Sequence, residues 1–415
     1  MRSDYQTHVF TSTYTADVSG VCSAMYELGG MSVLHDPSGC NSTYSTHDEP
    51  RWFDTDSLMF VSGLDETAAV MGDDEVLIRD VTAAAADLHP RFITLCGASI
   101  PHIIAFDYKG VAHLIEKRCG IPVLPVPTDG LRSYVGGVGM ALSAWLDRFA
   151  DPALYAERQK NRKEGAPVRI NLMGVTPLDF SVNGNDKAMK RSLEEEGFEI
   201  GCVLAMGDTF DHLTRAYDAD VNVVVSGAGR RSAVRMKQLS GIPFVEGLPV
   251  GRELTKRLAG KIREAASQTD RKPLGLAPSM IRADGVSWDE FDNTGRFTVP
   301  EGRILVIGEE VFAKSLASAV NALPGEKRDN VSACPFWPDE DLGLPESELI
   351  EAVRHAHTVI ADPLFKVILP PDSSVRFIPL PHEAYSGRIY RSQIPIFASA
   401  DFSAEELMKV GKDGI

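Results

Sequence analysis

Continuous apolar runs, alternating with helix-patterned segments along most of this 415-residue chain, constrain its fold more than any other feature. "RFITLC", "IPVLPVP", "VRINLMG", "VNVVV" and "GRILVIG" are apolar without alternation, the mark of strands buried on both faces. Between them lie "GGVGMALSAWLDRFA", "NDKAMKRSLEEEGF" and "EEVFAKSLASAVNAL", which read as helices, as do "DETAAVMGDDEVLIRDVTAAAADLHP" and "SIPHIIAFDYKGVAHLIEKRCG", each taken as one helix. Strands and helices in this series build α/β layers of mainly parallel sheet. The chain is too long for one ordinary core. The pattern predicts three Rossmann-like domains, over residues 1–165, 166–265 and 300–415, with an Asp-, Gly- and Pro-rich linker over 266–299.

A formal charge of -16 disfavours nonspecific binding to nucleic acid or an anionic membrane. No stretch approaches the roughly 20 apolar residues that span a bilayer. The N-terminal stretch has no apolar core of a secretory signal, so the cytoplasm is the expected location. Structural disulfides are rare there, which leaves the six cysteines as ligands, catalysts or small buried residues.

Three of them stand where apolar runs give way to turns. Cys22 and Cys40 bracket "GVCSAMYELGGMSVLHDPSGC", and Cys96 closes the strand "RFITLC". The carboxyl end of a strand is where α/β sheets carry their binding loops, and helix N-termini stabilise thiolates. Three convergent thiolates suit an iron–sulfur cluster but fall one short of the usual four ligands. No pair has C-x-x-C spacing, so zinc is poorly supported, and simple burial is an open alternative. Cys119, Cys202 and Cys334 read as core or loop residues.

Read together, "GGMSVLHDPSGC", "GLDETAAVMGDDEVLIRDV", "FITLCGASIPHIIAFDYKGVA" and "GIPVLPVPTDGL" resemble the nitrogenase component 1 family. That family includes subunits of nitrogenase, of dark-operative protochlorophyllide reductase and of the nickel-tetrapyrrole reductive cyclase, together with cofactor-assembly scaffolds. The resemblance implies that Cys22, Cys40 and Cys96 hold an iron–sulfur cluster (4Fe-4S or larger) in the N-terminal domain. It also implies that the cluster is shared at an interface with an identical or paralogous subunit. A separate, component 2-like iron–sulfur ATPase would supply low-potential electrons. The expected function is the catalytic component of a nitrogenase-like reductase; the alternative is a non-catalytic scaffold for cluster assembly.

The chain departs from dinitrogen-reducing members where they bind their metal cofactor. Ser226 stands at the first ligand position, and Pro381, with His382 beside it, at the second. No molybdenum–iron cofactor is therefore expected, and the substrate is expected to be a small molecule other than dinitrogen, such as a tetrapyrrole or a sulfur-containing compound. "GEEVFAKS" lacks the second glycine of a phosphate-binding loop, which places ATP hydrolysis on the partner. Weaker catalytic candidates are His35, Asp36 and His382, and Arg230 and Arg231 of "SGAGRR" are weak candidates for holding a substrate anion. Gly136, Gly137 and Gly139 read as close helix packing rather than a dinucleotide fingerprint.

Overall fold

The computed structural model describes residues 15–37, 49–268, 304–323, 331–335, 346–369 and 373–410. Cys40 and most of the expected linker lie outside these residues.

Twelve strands among the described residues form three four-stranded sheets. The first joins β1 (Met31–His35), β2 (Leu58–Val61), β3 (Ile93–Gly97) and β4 (Val123–Pro125) in the order β2-β1-β3-β4. The second joins β5 (Arg169–Met173), β6 (Glu199–Leu204), β7 (Val221–Val224) and β8 (Phe244–Glu246) in the order β6-β5-β7-β8. The third joins β9 (Ile304–Gly308), β10 (Val331–Pro335), β11 (Thr358–Ala361) and β12 (Arg376–Pro379) in the order β10-β9-β11-β12. Every pairing within these sheets is parallel. The order therefore reverses at the same place in each sheet, between β1 and β3, β5 and β7, and β9 and β11. A crevice opens at the carboxyl ends of such strand pairs.

Two expected helices are each divided in two. The first is Glu66–Met71 and Glu75–Leu88, separated at Gly72, whose φ of 66° no L-residue adopts easily. The second is Ser99–Ile103 and Tyr108–Cys119, with Ala105 left-handed between them. Sequence patterning did not reveal the helix Asp17–Met25, all nine residues of which are buried. Its polar Asp17, Ser19 and Ser23 face protein rather than water, so no amphipathic period is visible.

That helix packs directly on the helix Tyr134–Phe149 through Gly20 and Gly137. A β-carbon on Gly137 would lie 1.8 Å from the Asp17 carbonyl oxygen, and one on Gly20 would lie 2.1 Å from that of Tyr134. Gly139 faces Arg231 and the Ala228 carbonyl on the next layer. Close helix packing, not phosphate binding, is what Gly20, Gly137 and Gly139 serve; the expectation fails for Gly136, where an added β-carbon would meet nothing within 4 Å. No described helix is long and apolar enough to cross a membrane.

Candidate functional site

At the switch point of the first sheet, β1 ends in His35, with Asp36 next, while β3 ends in Cys96 and Gly97. Cys96 is fully buried, its thiol donates to the Val33 carbonyl at 3.7 Å, and its neighbour is Cys22, which descends from the helix Asp17–Met25. Both thiols are free. The neighbouring Cys22 thiol, and then burial, hold the Cys96 thiol well above its usual range. Two of the three expected ligands are thus brought together, and Cys40 lies outside the described residues. Two adjacent soft donors in a water-poor site are chemically suited to a soft metal centre.

The shell around the thiols is built with little slack. Thr128 Oγ1 accepts from the Gly97 N–H at 3.0 Å and donates to the Gly97 carbonyl, clamping the turn after Cys96. The Asp17 carboxylate accepts from the N–H groups of Val18, Asp129 and Gly130 at 2.8–3.0 Å. Burial above all, and the charge of Asp129, raise Asp17 to about 7. Asp17 had no sequence signal beyond its place before a run of small residues.

Of the two weaker candidates here, His35 packs its ring on Phe106 at 4.3 Å and meets Ser62 Oγ through Nδ1 at 2.9 Å. Burial lowers its pKa to about 4, so it stands neutral near pH 7. Asp36 is buried and its backbone N–H donates to the same serine hydroxyl.

The switch points of the second and third sheets meet in a buried polar junction, of which the sequence singled out only Ser226 and His382. Asp179, in the short helix Pro177–Phe180 after β5, accepts from Tyr134 OH, from Thr176 Oγ1 at 2.8 Å and from Ser226 Oγ at 2.7 Å. His382 Nε2 is 3.5 Å from Asp179 Oδ1, and the histidine is buried. Across from them Glu309, at the end of β9, caps its helix by accepting from Val311 and Phe312 and also takes the Gly227 N–H at 2.8 Å. Burial first, then the charge of Asp179, lifts Glu309 to about 7. Asp362, at the end of β11, accepts from the Ser386 hydroxyl and from the His382 N–H.

The junction answers two sequence readings by geometry. The helix N-termini at "SGAG" and "GEEVF", where a phosphate would dock, are filled by the chain's own Ser226 and Glu309 side chains. Arg230 is also engaged, its guanidinium shared between Glu246 and Glu310. It has no open fork for an anion, which corrects the expectation for Arg230; Arg231 packs its stem against Gly139. Ser226 offers a hydroxyl already donated to a carboxylate, a poor match for the thiolate that a soft metal cofactor would take there.

Both the sequence and the fold have counterparts among known proteins. The family model for nitrogenase component 1 type oxidoreductases matches residues 19–324. One of the subunits of light-independent protochlorophyllide reductase from Rubrivivax gelatinosus is 27% identical over 251 residues, covering 59% of this chain and 45% of that protein. The nitrogenase iron-molybdenum cofactor biosynthesis protein NifE from Clostridium pasteurianum is 24% identical over 213 residues, covering 51% and 44%. The chain thus spans less than half the length of these curated relatives. A solved structure of nitrogenase Cp1 at pH 6.5 superposes with a TM-score of 0.63 at 14% identity, over 100% of this chain and 95% of that one. That likeness establishes the fold.

Proposed function

Because the chain belongs to the nitrogenase component 1 type oxidoreductase family, we propose that it is the electron-accepting subunit of a nitrogenase-like reductase, with an iron–sulfur cluster held by Cys22 and Cys96. The observation that carries this reading is the pair of free, buried, neighbouring thiols at the switch point of the first sheet. Cys40 is the third ligand expected from sequence, and the remaining coordination falls to a second subunit, identical or paralogous. Exposed apolar side chains support such a partner: Val70, Met71, Ile103 and Leu131 are 70–77% exposed.

When bound, the cluster supplies single low-potential electrons. The chain's own residues do the rest. Cys22 and Cys96 fix the ligand geometry, Thr128 and Asp17 hold the two backbones that carry them, and burial keeps water out. Electrons come from a separate ATP-hydrolysing partner, in keeping with the filled helix N-termini of this chain. Protons come from the junction, where Glu309 titrates near neutrality and Tyr134 and His382 meet Asp179. The substrate is a small molecule other than dinitrogen, with a tetrapyrrole or a sulfur-containing compound as our assignment.

The test is iron and acid-labile sulfide per chain after anaerobic purification. The expected value is about two irons for a four-iron cluster shared by two chains, or about four for one each. Cys22→Ala, Cys40→Ala and Cys96→Ala should each lose most of it while keeping a native circular dichroism spectrum, since Cys to Ala removes a single side-chain heavy atom. Iron that is unchanged in Cys96→Ala would make the thiols core residues and end this reading. The match to a cofactor-biosynthesis protein supports a second reading, a scaffold that hands its cluster on. A reductase turns over with a partner ATPase; a scaffold loses its iron to an acceptor protein without turnover.

A further inference from the structure

A different thiol stands outside this chemistry. Cys202 in β6, Asp208 in the following turn and His212 in the helix Phe210–Leu213 read C-x5-D-x3-H. Asp208 and His212 are four apart and share one face of the turn. One ligand atom from each of the three residues lies within 4.8 Å of the others. His212 Nδ1 sits 2.7 Å from Asp208 Oδ1, and Cys202 Sγ sits 3.2 Å from the His212 carbonyl oxygen. The backbone doubles back between thiol and carboxylate through two left-handed residues, Ala205 and Gly207, with φ of 102° and 84°.

The donors are also oriented from behind. Val203 and Thr209 donate their N–H groups to the two Asp208 oxygens at 2.9 and 2.8 Å. Carboxylate ligands held in this way keep their direction when a metal binds. Cys202 is 2% exposed, whereas the His212 side chain is 45% exposed, so the cluster has a sealed floor and an open mouth.

We propose that Cys202, Asp208 and His212 form a zinc site, with a water as the fourth ligand on the exposed His212 side. One thiolate, one imidazole and one carboxylate make a borderline-soft set that suits tetrahedral Zn2+. The thiol excludes Mg2+ and Ca2+, which take oxygen ligands, and a single sulfur is too few for an iron–sulfur cluster. Binding exchanges the Cys202 thiol proton for the metal, so affinity rises with pH.

The position gives the metal something to hold. The Gly207 N–H donates to Glu27 Oε2 at 2.7 Å, and Asp211 pairs with Arg91. Phe210 packs on Trp145 at 5.1 Å and on Phe149 at 5.0 Å. Residues 207–211 thus tie the second sheet's layer to the first, and an occupied site fixes the segment that makes the tie.

The experiment is a Zn2+ titration of the full chain against a chromophoric chelator, repeated with Co2+ and read by absorption. One metal per chain is expected, with a thiolate-to-cobalt band and tetrahedral ligand-field bands. Cys96→Ala should keep that band, and Cys202→Ala should lose it. Asp208→Asn and His212→Ala should weaken binding by about tenfold or more. His212 is exposed, so its variant folds and decides the matter if Cys202→Ala does not. A band that survives in Cys202→Ala, or an unchanged affinity in His212→Ala, overturns the assignment, as does no metal uptake by the unmodified chain.

Discussion

Gly137→Ala is expected to destabilise the chain by about 3 kcal/mol or more, the upper end for overpacking a well-filled core. Gly136→Ala, one residue earlier in the same helix, is expected to be neutral or to stabilise by about 0.5–1 kcal/mol, the ordinary helix preference for alanine. The difference lies in what each new methyl meets. At Gly137 it would stand 1.8, 2.6 and 2.8 Å from backbone atoms of Asp17, none of which can rotate aside. At Gly136 nothing lies within 4 Å. Relief at Gly137 requires the two helices to part, and the helix that moves carries Asp17 and Cys22. Its hydrogen bonds to Asp129 and Gly130 stretch, and the Cys22 sulfur leaves Cys96. Denaturation midpoints of the two variants check the stability, and iron per chain checks the site. Equal midpoints would mean that the helix contact is loose, and the tight thiol site argued from it would fall.

The legibility of this protein in its sequence follows burial. Strands covered on both faces announced themselves as "RFITLC" and "VNVVV", so the α/β class could be read, though β1, equally buried, and β2 were not among the runs singled out. The helix Asp17–Met25 was hidden by the same cause, because complete burial removes the polar face that marks a surface helix. Cys22 and Cys96 could be singled out because thiols are rare and their positions match a family. Asp179, Glu309 and Tyr134 could not. They are common residue types from segments far apart in the chain, and only the meeting of two switch points gives them a shared environment. Arg230 misled for a related reason: a basic residue at a glycine-rich turn suggests an anion, and its partners Glu246 and Glu310 lie on other elements.

That junction carries the second large effect. Asp179→Ala is expected to cost about 3–5 kcal/mol, the range for breaking a buried charged network, and to flatten the dependence of stability on pH. Three hydroxyl donors, those of Tyr134, Thr176 and Ser226, lose their acceptor in the interior, where each unmet bond costs about 1–3 kcal/mol. Asp179→Asn keeps one acceptor oxygen and should cost less. The pH effect follows from Glu309, raised from 4.5 in its ordinary state to about 7 in the fold by burial and by Asp179. A raised acid binds its proton more tightly folded than unfolded, so its contribution to stability is complete below about pH 4.5 and is lost as pH climbs through 7. Removing Asp179 removes the charge that helps raise Glu309, so the decline between about pH 5 and 8 becomes shallower in the variant even as the whole curve drops. Urea unfolding at about pH 5, 6.5 and 8 measures both. A variant curve that is lower but parallel would show that Glu309 owes its proton to burial alone, and that the two carboxylates do not act as one site.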